Sequence, residues 1–334
     1  MGITIKKIAE ISGFGYGTVA RALSDSPALV KKETREKITR VAEKYGYIRD
    51  INAQALVKGK TTDIGLILPV FFGSAFYNDY YIKLIAGVIK TTREYSHELR
   101  LLFLENVSGV PGIIKSVKSL KLSGIIYAAV FYEGFSRYYE HFRELGIPAV
   151  ILNECVRGEN IHSVLLDDFK GGYDGTQYLI KTGHRKIAVL RGRYKDIEDR
   201  YEGYKKAMSD YKIKTDKNLI FKGDGTESAG YRGTKEFLRN PISPTAIFAL
   251  DDEMAIGALR ALKEEGKRCP EDISILGYDG MDIGSFAIPR LTTMARPVAE
   301  MGKKAVQILM AKEQAGKCVK VEAVLFQKES CLEI

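Results

Sequence analysis

The sequence predicts an α/β protein in which a small all-helical head precedes a large unit built on two doubly wound, mostly parallel sheets. Three observations carry this reading. Residues 1–48 hold three short helical patterns and no strand-like run, whereas from Asp63 onward apolar runs alternate with amphipathic helical stretches in βαβ order. Charge is uneven as well: residues 1–60 carry 12 Lys/Arg against 6 Asp/Glu, so the head accounts for +6 of the net +9. At 334 residues the chain exceeds what one compact core covers, and two or three domains are expected.

The first helix starts after Thr4, whose hydroxyl suits an N-cap, sets Ile5, Ile8, Ala9 and Ile11 on one face, and ends at Gly13. After a tight turn, a second helix from about Tyr16 to Leu23 puts Val19, Ala20 and Leu23 inward and leaves Tyr16, Gly17, Thr18 and Arg21 facing out. Ser24 to Pro27 breaks it. A third helix, from about Lys31 to Tyr45, carries Thr34, Ile38, Val41, Ala42 and Tyr45 at helical spacing, and the three stripes close one small core. Such a basic head on a nearly balanced body suits displacement of counterions from a phosphate backbone, and charge alone serves solubility equally well.

Ile51 to Lys60 is a short potential helix flanked by polar residues and too short to be stable alone, which makes it a coupling element that folds on binding. Beyond it, the expected strands are Ile64–Leu68, Leu99–Leu104, Gly124–Ala128, Ala149–Leu152, Ile187–Leu190, Ala246–Leu250 and Ile273–Gly277, with a last strand-like run at Ala323–Phe326. That is more than one small sheet uses. A second run beginning near residue 162 points to two lobes facing a shared cleft, with ligands at the carboxyl ends of the strands.

Other classes of function are disfavoured by composition. No run approaches 18 apolar residues, and Met1 to Glu10 lacks a signal core, so a cytoplasmic protein without membrane partners is expected. Cys155, Cys269, Cys318 and Cys331 show no C-x-x-C spacing and are read as reduced structural thiols. The histidines, His97, His141, His162 and His184, have no metal-ligand spacing. Gly13-x-Gly15-x-Gly17 follows a helix rather than a strand, so it is no phosphate loop, and G-x-x-x-x-G-K-[ST] is missing. The acidic pairs Asp167-Asp168 and Asp251-Asp252 put neighbouring carboxylates on opposite sides of a strand end. No catalytic, cofactor or metal site is expected, and the protein is not read as an enzyme.

A set of ordered motifs is more specific. Ile5-Lys6-Lys7-Ile8-Ala9-Glu10, Gly13, Thr18-Val19-Ala20-Arg21-Ala22-Leu23, Thr34-Arg35-Glu36-Lys37-Ile38 and Tyr45-Gly46-Tyr47 run through the head, followed by Asn52-Ala53-Gln54-Ala55-Leu56. Further on come Gly183-His184-Arg185-Lys186-Ile187-Ala188, Arg200-Tyr201-Glu202-Gly203-Tyr204, Pro244-Thr245-Ala246-Ile247-Phe248, the stretch from Pro270 to Asp279, and Leu291-Thr292-Thr293. In these segments the chain resembles the lac repressor/gal repressor family of bacterial transcription regulators along nearly its whole length. The resemblance implies a helix-turn-helix DNA-binding domain at 1–48 and a hinge helix at 49–61. It also implies a periplasmic-binding-protein-like effector-binding and dimerisation unit at 62–334, with lobe 1 at about 62–161 plus 292–320 and lobe 2 at about 162–291 plus 321–334.

It further implies DNA contacts at Thr4, Tyr16, Gly17, Thr18, Arg21, Asn52 and Ala53, with Leu56 wedged into the minor groove at the centre of a palindromic operator. Effector contacts fall on Asn153, Arg200, Asp251 and Asp279, with Arg296 beside the cleft. Read from the residues themselves, the aromatics Phe71, Phe72, Phe76 and Tyr77 after the first strand either stack on a sugar face, with Phe72 and Tyr77 as the contacts, or are plain core. Gly15 stands where the family usually has a capping Ser, Ala20 replaces another Ser, Asp251 a frequent Asn and Arg296 a frequent Gln. With no C-terminal heptads, a homodimer is expected over a tetramer. The reading is a repressor of carbohydrate-utilisation genes released by a sugar-like effector. Arg200 and Arg296 also admit a uronate or sugar phosphate, a purine fits the same residue types, and a corepressor-dependent regulator uses the same parts. A solute-binding protein is the rival of a different class.

Overall fold

The computed structural model describes residues 3–23, 30–47, 63–69, 79–105, 109–128, 141, 143–156, 161–192, 195–311 and 315–334. The chain divides into two compact units, residues 1–61 and 62–334. None of the described helices is long and apolar enough to cross a membrane.

The head is built from α1 (Ile5–Ser12), α2 (Tyr16–Ala22) and α3 (Lys32–Lys44). Thr4 caps α1 by accepting the Lys7 N–H at 3.3 Å, and Gly13 ends it in the left-handed conformation at φ 72°, where a Cβ would be strained. Ile8, Val19, Ala22, Ile38 and Ala42 form the core. Ala22 rather than Ala20 fills the α2 position, because this seven-residue helix aims its Val19 and Ala22 stripe at α1 and α3. Ile11 and Tyr45, expected inward, lie exposed at the ends of their helices, beyond the reach of so small a core.

The large unit holds two six-stranded sheets. The first has the order β11-β5-β4-β3-β1-β2 and is parallel throughout: β1 Asp63–Pro69, β2 Glu98–Leu104, β3 Gly124–Tyr127, β4 Ala149–Leu152, β5 Ile161–Leu166 and β11 Cys318–Val321. The second has the order β12-β10-β9-β8-β6-β7: β6 Ile187–Arg191, β7 Ile220–Lys222, β8 Ala246–Ala249, β9 Ser274–Asp279, β10 Thr292–Ala295 and β12 Val324–Phe326. Its strands are parallel except for the antiparallel β10–β12 pair. Helices α4 (Asp79–Glu94), α5 (Val110–Ser119) and α10 (Val298–Ala311) accompany the first sheet, and α6 (Asp168–Lys181), α7 (Lys195–Asp210), α8 (Glu227–Arg239) and α9 (Asp252–Glu264) the second.

Both faces of each sheet are covered, which is why the strands read as continuous apolar runs. On β1, Ile64, Leu66 and Leu68 join a core with Leu84, Val88 and Met301, while Ile67 points to the other face among Ile113, Val117 and Ile125. The second sheet repeats the pattern with Leu190 and Ile275 on one side and Val189, Phe248 and Leu276 on the other.

Strand pairing moves the expected lobe boundaries. Residues 162–166 belong to β5, which pairs with β4 in the first sheet, and residues 292–295 form β10, which pairs with β9 in the second. The chain therefore crosses between lobes after Leu166, after Ala295 and between Val321 and Val324. A second correction concerns the cysteines. Cys155 and Cys318, 163 residues apart, are joined in a disulfide with Cα atoms 5.9 Å apart, and only Cys269 and Cys331 are free thiols. Sequence spacing carried no trace of a pair that strand pairing brings together.

Candidate effector cleft and DNA-contacting head

In the head, Tyr16 and Gly17 are exposed at the start of α2, Thr18 is half-buried, and Arg21 is exposed one turn on with its Nε donating to the Gly17 carbonyl at 3.0 Å. Tyr16, Gly17 and Thr18 form the first turn of α2, and Arg21 lies in its last. Gly15 stands at the N-cap without a side-chain hydrogen bond, so the start of α2 lacks the hydroxyl cap that Thr4 gives α1. Thr4 Oγ1 is engaged as that cap. Asn52, Ala53 and Leu56 lie outside the described residues.

The large unit places a set of polar and charged residues at strand ends. Asn153 follows β4, Asp168 follows β5, Arg191 ends β6, Asp251 follows β8, Asp279 ends β9 and Arg296 follows β10. All six sit at carboxyl ends, where doubly wound sheets leave a crevice. Asn153 and Asp279 hold positive φ values of 62° and 115°, an uncommon backbone that costs of order 1–3 kcal/mol and concentrates at functional sites.

Arg200, on α7, is 1% exposed. Its guanidinium bonds Asp168 Oδ1 at 2.9 Å, the Leu250 carbonyl at 2.6 Å and Asp279 Oδ1 at 3.1 Å, and it stacks 3.9 Å above the Tyr278 ring. Asp279 Oδ1 also takes the Arg296 guanidinium at 3.1 Å, and Arg296 in turn lies 5.2 Å from the Tyr80 ring. Tyr80 receives the Asn153 amide on its hydroxyl at 2.6 Å. A continuous line thus runs from Asn153 in the first lobe to Asp168 at the head of α6. Lys83, on α4, donates to the Gly280 carbonyl at 3.0 Å, a second link between lobes. Arg191 pairs with Glu198 and stacks on Tyr201.

Each acidic pair is split as its strand-end placement requires. Asp167 caps α6 and pairs with Lys320 while Asp168 holds Arg200. Asp251 caps α9 through the Met254 N–H at 2.7 Å, while Asp252 takes the Thr293 hydroxyl at 2.8 Å and the Met281 N–H at 2.7 Å. Burial raises the Asp251 carboxyl to about 8, with the Met254 N–H pulling the other way and Asp279 adding to the rise. Asp252 is raised to about 7, again chiefly by burial. Asp251 Oδ2 is buried without a hydrogen-bond partner among the described residues.

Of the expected effector residues, the structure brings Arg200, Asp251, Asp279 and Arg296 together around β8 to β10, with Asn153 joined through Tyr80. Phe71, Phe72, Phe76 and Tyr77 lie outside the described residues. Sequence reasoning missed Asp168, Tyr80 and Lys83. For Asp168 the strand-end signal was present; Tyr80 and Lys83 carry none, since their role depends on how the first lobe faces the second.

A basic three-helix head followed by a two-lobed unit with a charged crevice at its strand ends defines a DNA-binding regulator carrying its own sensor. Residues 4–50 match the model for bacterial regulatory proteins of the lacI family, and residues 176–331 match that for a periplasmic binding protein-like domain. The probable HTH-type transcriptional repressor ExuR of Bacillus subtilis is 32% identical over 311 residues, covering 92% of this chain and 91% of its own length. The ribose operon repressor of Haemophilus influenzae is 28% identical over 313 residues, 92% of this chain and 91% of its own. Among solved structures, a complex of the transcriptional regulator CelR with cellobiose is 26% identical with a TM-score of 0.68, covering 98% of this chain and 99% of that one. The lac repressor dimer bound to operator and the anti-inducer ONPF, 22% identical with a TM-score of 0.79 over 99% and 100% of the two chains, has the same fold. The chain belongs to the LacI family of bacterial regulatory proteins.

Proposed function

We propose that this protein is a homodimeric, non-enzymatic repressor that works in the cytoplasm on a palindromic operator, and that a neutral carbohydrate in the cleft releases it. The observation that carries the ligand class is the charge balance of the cleft. Arg200 and Arg296 are matched by Asp168 and Asp279, so the cluster offers a fork of donors and acceptors without surplus positive charge for a phosphate. Asp251 adds a buried oxygen with no hydrogen-bond partner among the described residues, which a ligand hydroxyl would satisfy. Relatives named for ribose and solved with cellobiose support the same class.

DNA recognition is assigned to Tyr16, Gly17, Thr18 and Arg21 in the major groove, with Thr4 and the 52–56 segment beside them and Leu56 as the wedge. Coupling is two-state: ligand changes how the lobes meet, and the two hinge segments lose the joint register that holds both heads on one operator. Full switching needs a bias of roughly 5 kcal/mol between the two states.

The test is the melting temperature of the full chain against neutral mono- and disaccharides, uronates, sugar phosphates and purines, followed by operator release in the presence of any hit. A ligand held at 100 times its Kd stabilises by about 2.7 kcal/mol. A neutral sugar that both raises the transition and releases DNA is the expected result. A purine or phosphosugar that tightens DNA binding establishes a corepressor instead, and a flat panel removes the cleft reading.

A further inference from the structure

We propose that Cys155 and Cys318 form a hydroperoxide-responsive thiol pair, closed to a disulfide in the folded protein by oxidation and reopened by a dithiol. Their placement does not depend on the bond itself. Ser163 on β5 organises both sides: its hydroxyl accepts the Val156 N–H and donates to the Val156 carbonyl, each at 2.8 Å, which pins the loop bearing Cys155. Cys318 lies opposite Ser163 in the parallel β11–β5 register, and the Ser163 N–H donates to the neighbouring Lys317 carbonyl at 2.7 Å. The resulting Cα separation of 5.9 Å falls in the range a disulfide spans without backbone movement.

Reactivity separates this pair from the other thiols. Cys155 is exposed and Cys318 half-buried, next to the exposed Lys317 and near Lys320. Cys269 and Cys331 are held by burial near a pKa of about 12, so they stay protonated and unreactive. A DNA-bound regulator works in a compartment where thiols are kept reduced, so a bond between accessible cysteines there is a cycling one rather than a permanent staple.

The chemistry closes with a hydroperoxide as the two-electron acceptor. The Cys155 thiolate attacks the terminal peroxide oxygen, the O–O bond breaks, and the other oxygen leaves as an alcohol, or as water from hydrogen peroxide, leaving Cys155 as the sulfenic acid. The Cys318 thiolate then attacks the Cys155 sulfur, the S–O bond breaks, and hydroxide departs and takes up a proton as water. Two sulfurs are oxidised, one peroxide is reduced, and the two thiol protons end in the products. A dithiol reverses the step by exchange.

The bond has a mechanical consequence. Cys155 lies two residues past Asn153, and Cys318 opens the strand that leads into the last crossing between lobes. Oxidation therefore ties the Asn153 loop to β11 and closes a covalent ring through the first lobe that contains β5 to β10. That consequence for the effector rests on the cleft reading; the thiol chemistry does not, and the assay below reads the thiols directly.

The full chain, reduced with dithiothreitol and freed of it, is treated with hydrogen peroxide, unfolded, alkylated with iodoacetamide and weighed intact. The reduced chain should carry adducts on all four cysteines and the oxidised chain on two, with peptide mapping locating the link at Cys155 and Cys318 and dithiothreitol restoring four. In the Cys318→Ser chain, Cys155 should accumulate as a sulfenic acid trapped by dimedone. Hydrogen exchange at residues 154–156 and 318–321 should slow on oxidation of the native chain and stay unchanged in Cys155→Ser. Four adducts after peroxide, a link through Cys269 or Cys331, or a bond that dithiothreitol cannot open in the folded protein each overturns the proposal.

Discussion

Arg200 and Asp279 meet at 3.1 Å inside the second lobe, where the arginine is 1% exposed and the partly exposed carboxylate shares its Oδ1 with Arg296. Arg200 also bonds Asp168 and the Leu250 carbonyl, so four elements, α6, α7, β9 and the β8 loop, are fixed on one guanidinium. Removing one member of a buried pair strands the other, at about 3–5 kcal/mol. Arg200→Met should lower the stability of the large unit by that amount in urea unfolding, and Arg200→Lys by less, because an ammonium keeps the charge without the planar fork. A loss below about 1 kcal/mol for Arg200→Met would show the pair to be solvated rather than buried.

Helix packing sets where Arg200 starts from. A Cβ at Gly172 on α6 would fall on the Arg200 carbonyl oxygen, so the glycine is what lets α6 and α7 approach closely enough for Asp168 and Arg200 to meet. Gly172→Ala should push the helices apart, cost about 1–3 kcal/mol by overpacking, and weaken any ligand-induced rise in melting temperature more than it weakens the apo fold. Equal loss in both would mean the displacement is absorbed away from the cleft.

The parts of the molecule that could be read in the sequence are those whose cause is local. Thr4 and Gly13 bound α1 because a hydroxyl cap and a left-handed residue act within one turn, and Ile64–Leu68 reads as a strand because β1 is apolar on both faces. Strand β5 escaped because His162 and Ser163 interrupt its apolar run, yet both are buried, His162 accepting the Lys317 N–H and Ser163 holding Val156. Likewise β10 begins with two threonines whose hydrogen bonds go to Ser330, Lys328 and Asp252, partners between 36 and 41 residues away that no local window joins. Arg200, Asp251, Asp279 and Arg296 were reached through family motifs, whereas Tyr80, Asp168 and the Cys155–Cys318 pair depend on tertiary juxtaposition.

Buried carboxylates give the large unit a pH dependence of definite sign. Asp251 and Asp252 titrate near 3.8 when unfolded and near 8 and 7 when folded, so the folded state holds their protons more tightly. Their contribution is fully present below pH 3.8 and lost as pH rises through 7 and 8. His184, whose pKa burial lowers, slopes the other way below about pH 6.5. Melting temperature should therefore fall from pH 6 to pH 8.5. Asp251→Asn keeps the α9 cap, since Asn is as good an N-cap, and should flatten that decline. An unchanged slope would place the titration elsewhere.

Among the described residues of the head five are buried in its core, and Ile8, on the α1 helix that packs against α2 and α3, is wholly enclosed. Truncation at such a site costs about 2–5 kcal/mol, comparable to the whole stability of a domain this small. Ile8→Ala should abolish operator binding while the calorimetric transition of residues 62–334 keeps its temperature. Retained DNA binding would mean that the operator supplies the folding energy the core has lost.

Arg21 separates base reading from phosphate binding. Its Nε is turned back onto the Gly17 carbonyl at 3.0 Å, which lays the guanidinium along α2 rather than extending it away from the helix. A guanidinium held close to its own helix suits a backbone phosphate beside the groove better than a base edge within it. On palindromic sites selected from a random library, Arg21→Gln should therefore weaken all sequences alike. It should also lower the slope of log K against log salt by about 0.9 per protomer. If instead the slope holds and discrimination is lost at one position of each half-site, by about 1–3 kcal/mol, then Arg21 unfolds from Gly17 on binding and reads guanine.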